Sequence, residues 1–327
     1  MLFRCKNCGG NAVFAPGVGR MYCPHCDGLD SEEQENKEVQ TECVNCGAPL
    51  TIGEYDSTCQ CEYCESYIIL DHRVSGEYRP NLMLPFKIDK KGAVELLRNE
   101  FRKRVFTPGS FLSEATLKEM KGIYVPFWMY DYASNYKYTG KGTKVRVWRT
   151  GDTEYTETSY YRIERDMDAE FEKVPVDASV AMPNDVMDLM EPYDHKLLEG
   201  FEEKYMSGFF GEIYSEGEEA LEGRAKEKVK RDLESLLHET VTGYTSVVPE
   251  RQNISMEKHM ANYALLPVWR YLYRYQEKDY YFHVNGQTGK ITGSTPVSKK
   301  KVLSYGVTVF AVVWMMLVFL IGILEVI

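Results

Sequence analysis

Four Cys-x2-Cys pairs between Cys5 and Cys64 constrain this chain more than any other feature of its sequence. The first two pairs recur 38 residues later, and in both copies fourteen residues separate one pair from the next. The first copy holds Cys5, Cys8, Cys23 and Cys26, and the second holds Cys43, Cys46, Cys61 and Cys64. Each Cys-x2-Cys turn brings two sulfurs to one point, and two turns complete the tetrahedral set that Zn²⁺ prefers. Because two equal spacings are difficult to obtain by chance, the sequence predicts two zinc sites with four cysteine ligands each.

The same cysteine pattern admits other interpretations. A rubredoxin-like iron site uses the same four ligands, whereas a redox-active Cys-x2-Cys pair would not need four matched pairs. Because four protein ligands leave no open coordination position, we expect structural ions and not catalytic ones. Cys59 lies two residues before Cys61, and His25 lies between two cysteines. Matching the two copies leaves both outside the predicted ligand sets.

All nine cysteines lie before residue 65, which bears on the compartment of the protein. Disulfide-stabilised secreted domains distribute their bridges through a small fold and follow a signal peptide. Here Met1 to Arg4 lead directly into the first cysteine pair. We therefore expect reduced thiols in the cytoplasm.

The repeat divides the N-terminal part of the chain into three segments. Residues 1–29 and 42–72 each hold one cysteine quartet, and residues 30–41 between them are acidic and lack apolar periodicity. Gly9 and Gly47 follow cysteine pairs directly and indicate a positive φ there, while the Asp27-Gly28 step offers similar freedom one position later. We predict two zinc ribbons joined, as separate units, by a solvated acidic linker.

Residues 73–298 combine helical and extended patterns, typical of an α+β domain with antiparallel strands. Apolar residues recur on one face in 90–104 and in 218–238, which predicts two helices. Residues 186–205 are predicted as two helical pieces that break near Pro192. Aromatic and β-branched runs on both sides of this helical block predict the strands.

Two local features of this domain invite a functional interpretation. Residues 140–144 (Gly-Lys-Gly-Thr-Lys) superficially resemble a phosphate-binding loop, but they lie between strands and not before a helix. We interpret them as a hairpin turn. The many aromatic residues admit a surface that binds peptides or lipid headgroups, but we favour the interpretation that Trp128, Trp148 and Trp269 pack between the sheet and the helices.

The end of the sequence contains an uncharged apolar stretch, residues 303–324. At 1.5 Å per residue it would reach ~33 Å, which is enough to cross a ~30 Å hydrocarbon core. We predict a transmembrane helix over residues 302–325, with residues 299–301, three lysines, as a basic flank. The positive-inside rule then places the N-terminal domains in the cytoplasm. The predicted arrangement is a tail-anchored, single-pass protein of the cytoplasmic membrane.

Five further motifs accompany the cysteine repeat. They are Leu84 to Ile88, Gly122 to Trp128, Tyr205 to Phe209, Leu266 to Trp269, and Val284 to Lys290. With them, nearly the whole chain resembles bacterial membrane proteins that carry tandem transcription-factor-IIB-type zinc ribbons, a family often described by likeness to primosomal helicase zinc segments. One departure is Glu65-Ser66, where Gly-Asn or similar is usual.

The resemblance also has implications for function. Some members of that family occur alongside phage-shock-type and flotillin-like (SPFH) proteins. The resemblance therefore implies a membrane platform that recruits such partners in envelope stress.

Charge favours this scaffold or adaptor function over nucleic-acid binding, which is the alternative for a membrane-tethered transcription or replication protein. Residues 1–72 contain four Lys/Arg against twelve Asp/Glu, a net charge of −8, and the whole chain carries −10. Binding to phosphates requires clustered cations, which the ribbons lack. The sequence contains no nucleophile elbow, phosphate loop, zinc-protease helix or kinase motif. We therefore expect a protein that is not an enzyme and has no small-molecule substrate.

Overall fold

The computed structural model describes residues 1–35, 41–113, 117 and 119–324. The described strands are β1 (Leu2–Cys5), β2 (Val13–Ala15), β3 (Arg20–Tyr22), β4 (Glu32–Glu35), β5 (Asp56–Gln60), β6 (Tyr67–Ile69), β7 (Leu82–Met83), β8 (Lys121–Thr150), β9 (Thr153–Asp177), β10 (Glu199–Gly200), β11 (Phe210–Glu212), β12 (Ser246–Tyr275), β13 (Lys278–Asn285) and β14 (Ile291–Gly293). The described α-helices are α1 (Lys90–Arg102), α2 (Asn184–Met190), α3 (Glu218–Thr240) and α4 (Lys299–Leu324). Short 3₁₀ turns cover Asp71–Arg73, Gly76–Tyr78, Gly109–Leu112, His195–Leu197 and Glu203–Met206.

Three very long strands dominate the fold. β8 and β12 have 30 residues each and β9 has 25. β8 lies in the middle and pairs antiparallel with β12 on one side and with β9 on the other. At about 3.3 Å per residue, a strand of this length reaches roughly 100 Å. We call the part built from β8 residues 129–150, β9, and β12 residues 246–262 the blade.

Helix α3 covers one face of the blade. From residue 130 to residue 142, buried and more exposed side chains of β8 mostly alternate, because successive side chains of a strand point to opposite faces. Tyr132, Tyr136 and Ile163 on the covered face pack in one hydrophobic cluster with α3 side chains such as Leu221 and Val229. In the part that α3 covers, the blade therefore has one apolar face under the helix and one polar face.

The blade narrows to two strands at its far end. The pairing of β12 with β8 begins at Ser246, opposite Thr143, so the strand pairing over residues 144–159 is between β8 and β9. The chain reverses at Gly151, whose φ is +61°. We call residues 144–159 the distal hairpin.

The interpretation of residues 140–144 as a turn is wrong, because β8 continues through them. Their glycines have a packing reason instead of a turning one. A Cβ atom at Gly142 would lie 2.6 Å from the ring of Tyr244, so glycine makes room for this ring beside the strand.

The tryptophans divide between the core and the surface. Trp269 is buried, and Trp128 is half-buried and donates a hydrogen bond to the carbonyl of Glu216. Trp148, in contrast, is 41% exposed and stacks on Tyr155 in the distal hairpin. The expectation that all three pack between sheet and helices is wrong for Trp148, because α3 does not extend over this hairpin.

The base of the blade widens into a mixed sheet with the strand order β10-β7-β12-β8-β11-β5-β6, and β13 and β14 continue from β12. Two of its pairings, β11 with β8 and β12 with β7, are parallel. The large domain with a β-sheet that was expected from the sequence is confirmed. Its strands are mostly, but not only, antiparallel.

The two cysteine units are part of this sheet assembly and are not the separate units that the sequence predicted. β5 of the second unit joins the large sheet through β11. The N-terminal amine of Met1 donates a 2.6 Å hydrogen bond to the carbonyl of Ile69, and the amide of Tyr67 donates to the side chain of Asn11. Each of these bonds joins one unit to the other.

The segment predicted as an acidic linker contains a strand. Glu32–Glu35 form β4, which pairs with β1, and Arg4 forms an ion pair with Glu35. Residues 36–40 of the predicted linker lie outside the described residues. Backbone pairing with β1, and not apolar periodicity, holds Glu32–Glu35 in extended form.

Helix α4 runs from Lys299 to Leu324, and its described side chains are exposed from Lys299 to Val318. This part is long and apolar enough to cross a membrane, and it is the one such helix among the described residues. Residue 325 of the predicted transmembrane segment lies outside them.

Candidate metal centres

All four Cys-x2-Cys turns have the same backbone. In each, the amide of the residue after the second cysteine donates a hydrogen bond of 2.8 or 2.9 Å to the carbonyl of the first cysteine. That residue has a positive φ in every turn: +73° at Gly9, +57° at Asp27, +75° at Gly47 and +57° at Glu65. The sequence identified the two glycines correctly but assigned the freedom of the second turn to Gly28, whereas Asp27 adopts the left-handed conformation.

The structure brings the eight predicted cysteines into two quartets, within each of which all four sulfurs lie within 4.8 Å of one another. In the first quartet Cys5 Sγ lies 3.6 Å from Cys26 Sγ, and Cys8 Sγ lies 3.5 Å from Cys23 Sγ. The corresponding distances in the second quartet are 3.6 Å, between Cys43 and Cys64, and 3.7 Å, between Cys46 and Cys61.

These distances fit a tetrahedral metal site. Four sulfurs at about 2.3 Å from a central Zn²⁺ would lie about 3.8 Å apart. None of the nine cysteines, all of which the structure describes, forms a disulfide. Each quartet can therefore hold one metal ion.

Backbone amides supply a second test of the fit. The amide two residues after a cysteine donates to its sulfur at Cys8, Cys26, Cys46 and Cys64. At Cys5 and Cys43 the amides two and three residues later do so. Such donors stabilise negative charge on sulfur, which is the form that binds a metal. The arrangement favours thiolate ligands.

Two serines contact the quartets from outside. The Ser31 hydroxyl, 3.4 Å from Cys5 Sγ, is the main cause of a pKa lowered to about 6 at Cys5. Ser66 lies at the same distance from Cys64 Sγ. Burial would raise the pKa of Cys64, but hydrogen bonds that include those from Ser66 and Asn45 lower it to about 6.

A chain of hydrogen bonds links the two quartets. Arg4, next to Cys5, donates to Asn45 Oδ1 at 2.9 Å, and Asn45 donates to Ser66 Oγ at 3.0 Å. Sequence reasoning noted Ser66 only as a departure from the family pattern. The signal that could have found Ser66 is its position two residues after a quartet cysteine, where a short hydroxyl side chain reaches the sulfur.

The two residues left outside the ligand sets have different surroundings. Cys59 lies in β5, is 4% exposed and packs with Ile68 and Leu70. Burial is the main reason that its pKa is raised to about 11. His25 is exposed and rests against Gly10. Neither belongs to a described quartet.

The five motifs that accompany the cysteines meet in one place, around Phe86. Its ring stacks on Phe209 at 4.2 Å between centroids and contacts Tyr124 and Trp269 edge-on. The amides of the next two residues both donate to the carbonyl of Gly286. We call this cluster the aromatic junction.

The aromatic junction is connected to the first quartet by the segment that contains Phe209. The carbonyl of Ser207 accepts a hydrogen bond from the amide of Phe14, and the Ser207 hydroxyl donates to the carbonyl of Ala12. Gly208, with φ +97°, lies so close to Val13 that a Cβ atom would approach it to 2.9 Å. The motifs therefore fasten the first cysteine unit to the sheet.

Comparison with known proteins places this architecture in a family. The chain is 35% identical over 314 residues to the uncharacterized protein YdjG of Bacillus subtilis (strain 168), a match that covers 93% of this chain and 92% of YdjG. The chain belongs to the YdjG family. The similarity to YdjG extends far beyond the cysteine repeat, because that repeat ends at Cys64. No family model matches the sequence. No solved structure matches it either.

Proposed function

We propose that this protein is a membrane-anchored scaffold that recruits partner proteins to the cytoplasmic face of the membrane. The observation that carries the proposal is the distal hairpin, which exposes apolar and aromatic side chains on both faces at the end of a long blade. Exposed patches of this kind are typical of protein–protein contact sites. Because the resemblance implies phage-shock-type or SPFH proteins as partners, these are the partners that we propose, acting in envelope stress.

The composition of the hairpin supports protein binding. Val147 is 55% exposed, and Val145, Trp148 and Tyr155 are also exposed. Tyr160, directly beyond the hairpin, is 65% exposed. Aromatic side chains contribute large contact areas at low entropic cost, and they are enriched at protein interfaces.

The membrane part of the proposal assigns α4 as a single transmembrane helix. Its basic flank, Lys299 to Lys301, favours the cytoplasmic side for the domains that precede it. Tyr273 lies near the end of β12 that is opposite to the hairpin, and it hydrogen-bonds to Ser110 in the segment that follows α1. The same segment is bonded to Ser298, which directly precedes α4, through the carbonyl of Phe106. The length of β12 thus separates the proposed partner site from the proposed anchor.

The metal part of the proposal assigns one Zn²⁺ to each quartet. Zn²⁺ bound by four thiolates would stabilise the surrounding turns and, with no open position, would take no part in a reaction. The ligands are Cys5, Cys8, Cys23 and Cys26 in one site and Cys43, Cys46, Cys61 and Cys64 in the other.

Affinity purification of the full chain from detergent-solubilised membranes tests the scaffold. We expect a phage-shock-type or SPFH protein to be recovered with the native chain and to be lost with the variant Val147→Ser/Tyr160→Ser. The matched control is Glu227→Ser/Lys230→Ser on the exposed side of α3, which should retain the partner. Recovery of DNA or RNA without a protein partner would overturn the scaffold in favour of the nucleic-acid alternative.

Alkaline carbonate extraction tests the anchor separately. A transmembrane helix keeps the chain in the membrane pellet, because it resists removal by high pH and salt. Release of the native chain into the supernatant would contradict the assignment of α4.

A further inference from the structure

The segment that follows α1 has an unusual surface. It consists of three consecutive cations, Arg102, Lys103 and Arg104, followed by Val105 and Phe106. All five are exposed, with Val105 at 63% and Phe106 at 37%. We call residues 102–106 the basic-apolar loop.

The basic-apolar loop is fastened to the first turns of α4. The carbonyl of Phe106 accepts a 2.8 Å hydrogen bond from the amide of Ser298, and the next carbonyl, that of Thr107, accepts one of 2.7 Å from Lys301 Nζ. The ring of Phe106 lies edge-on to that of Tyr305 at 5.4 Å between centroids. These contacts hold the loop beside the helix at the point where its apolar stretch begins.

This position determines the depth of the loop if α4 spans the membrane as proposed. Tyr305 lies at the start of the apolar stretch, where aromatic side chains mark the membrane–water interface. Phe106 contacts this tyrosine and therefore lies at the same level. An exposed apolar pair flanked by cations is the side-chain combination that binds the interfacial region of a bilayer.

The charge of the loop contrasts with that of the whole protein. The chain carries −10, yet residues 87–104 contain seven Lys/Arg against three Asp/Glu, and three lysines begin α4. Arg104 pairs with Glu100 at 3.1 Å. Cations at the C-terminal end of α1 also interact favourably with the helix dipole, but the dipole does not account for the exposed Val105 and Phe106 that follow.

We propose that the basic-apolar loop is a second membrane contact, which binds anionic lipid headgroups through Arg102 and Lys103 and inserts Val105 and Phe106 into the interface. The inference rests on the proposed anchoring by α4 and goes beyond it. One transmembrane helix alone allows the cytoplasmic domain to tilt and rotate, whereas a second contact beside it fixes the orientation. The loop would thereby direct the blade relative to the bilayer.

Lysine labelling of the full chain tests the second contact. The chain is placed in detergent, in nanodiscs of phosphatidylcholine, and in nanodiscs that also contain phosphatidylglycerol, and acetylation is measured by mass spectrometry. We expect acetylation of Lys103 to fall by about five-fold or more in the anionic nanodiscs, since each cation near an anionic surface gains ~1 kcal/mol. The exposed Lys230 on α3 is the control and should be labelled equally in all three.

Further arms separate the outcomes. Inorganic phosphate added in detergent should leave Lys103 labelling unchanged, because the proposed ligand is the lipid surface. The variant Val105→Glu should still enter nanodiscs but lose the protection of Lys103. Equal labelling of Lys103 in detergent and anionic nanodiscs would overturn the second contact, whereas failure of the native chain to enter nanodiscs would instead overturn the anchor.

Discussion

At the scale of the residue, the position after each cysteine pair determines how well the turn forms. Gly9 and Gly47 adopt a positive φ without a steric penalty, but Asp27 and Glu65 hold a Cβ atom in the same conformation. Asp27 has a compensating contact, because its carboxylate accepts a hydrogen bond from Tyr22. The Glu65 side chain is exposed, so its left-handed backbone is the less compensated of the two.

The first prediction concerns this strain. Glu65→Gly should stabilise the metal-loaded chain by about 0.5–1 kcal/mol. The substitution removes the steric cost of a left-handed backbone, and this gain exceeds the free energy lost because glycine makes the unfolded chain more flexible. Thermal unfolding measures the change. The matched control is the exposed Glu62, whose φ is not positive, and Glu62→Gly should destabilise. Equal effects of the two substitutions would show that the backbone of Glu65 carries no strain.

The second prediction separates the ligand from the spare thiol. Elemental analysis of Cys61→Ser should find about one Zn²⁺ per chain in place of two, because a three-cysteine site binds far more weakly. Cys59→Ala should retain both ions, since Cys59 packs against Ile68 and points into no quartet. Loss of an ion from Cys59→Ala would reassign the second site.

At the scale of the element, the blade consists of a supported part and an unsupported one. α3 covers Tyr138 and Ile163, and both are buried. The distal hairpin beyond them has two strands and no helix among its described neighbours. An isolated two-stranded hairpin is marginally stable in water, so the hairpin depends on the supported part of the blade but contributes little to its stability.

The third prediction tests this division. Replacing residues 144–159 by Asn-Gly, which links the paired residues Thr143 and Tyr160, should change the free energy of unfolding by less than about 1 kcal/mol. A longer deletion that also removes Tyr138 and Ile163 should cost about 3 kcal/mol or more, because it uncovers the apolar face of α3. Chemical unfolding in detergent measures both. Comparable losses would mean that the hairpin is part of the core.

The fourth prediction concerns the aromatic junction, where elements distant in the sequence meet. Phe209→Ala should destabilise the protein by about 3–5 kcal/mol, because it removes a buried ring stacked on Phe86 and leaves a cavity. Tyr160→Ala, at an exposed position, should cost less than about 0.5 kcal/mol. Near-neutral behaviour of Phe209→Ala would show that the junction can close around the cavity.

At the scale of the whole molecule, the cysteine quartets and the sheet form one structure. β5 leads to Cys61 and also pairs with β11, which in turn pairs with β8 at the base of the blade. The Thr58 hydroxyl on β5 donates a 2.8 Å hydrogen bond to the carbonyl of Phe209 in the aromatic junction. Loss of the second metal ion should therefore affect the sheet and not only the turns that hold it.

The fifth prediction follows from this connection. Removing the metal with a strong chelator should lower the unfolding temperature of the entire domain, because structural Zn²⁺ contributes folding free energy on the order of 10 kcal/mol. Limited proteolysis should then cut near residues 56–60 and 210–212, the two strands that join the quartet to the sheet. An unchanged unfolding temperature after verified metal loss would contradict the coupling.

The eight cysteines of the two quartets, the long helices α1 and α3 and the apolar helix α4 could all be predicted from the sequence. Coordination chemistry requires a fixed local spacing of cysteines, and a helix is predicted from apolar residues that recur every three to four positions. Other features became evident only in the folded chain: the extended form of Glu32–Glu35 and of residues 246–262, the contact between the two cysteine units, and the meeting of five scattered motifs around Phe86. These features depend on partners that lie tens to hundreds of residues away, and a polar segment becomes a strand when a long neighbour satisfies its backbone hydrogen bonds.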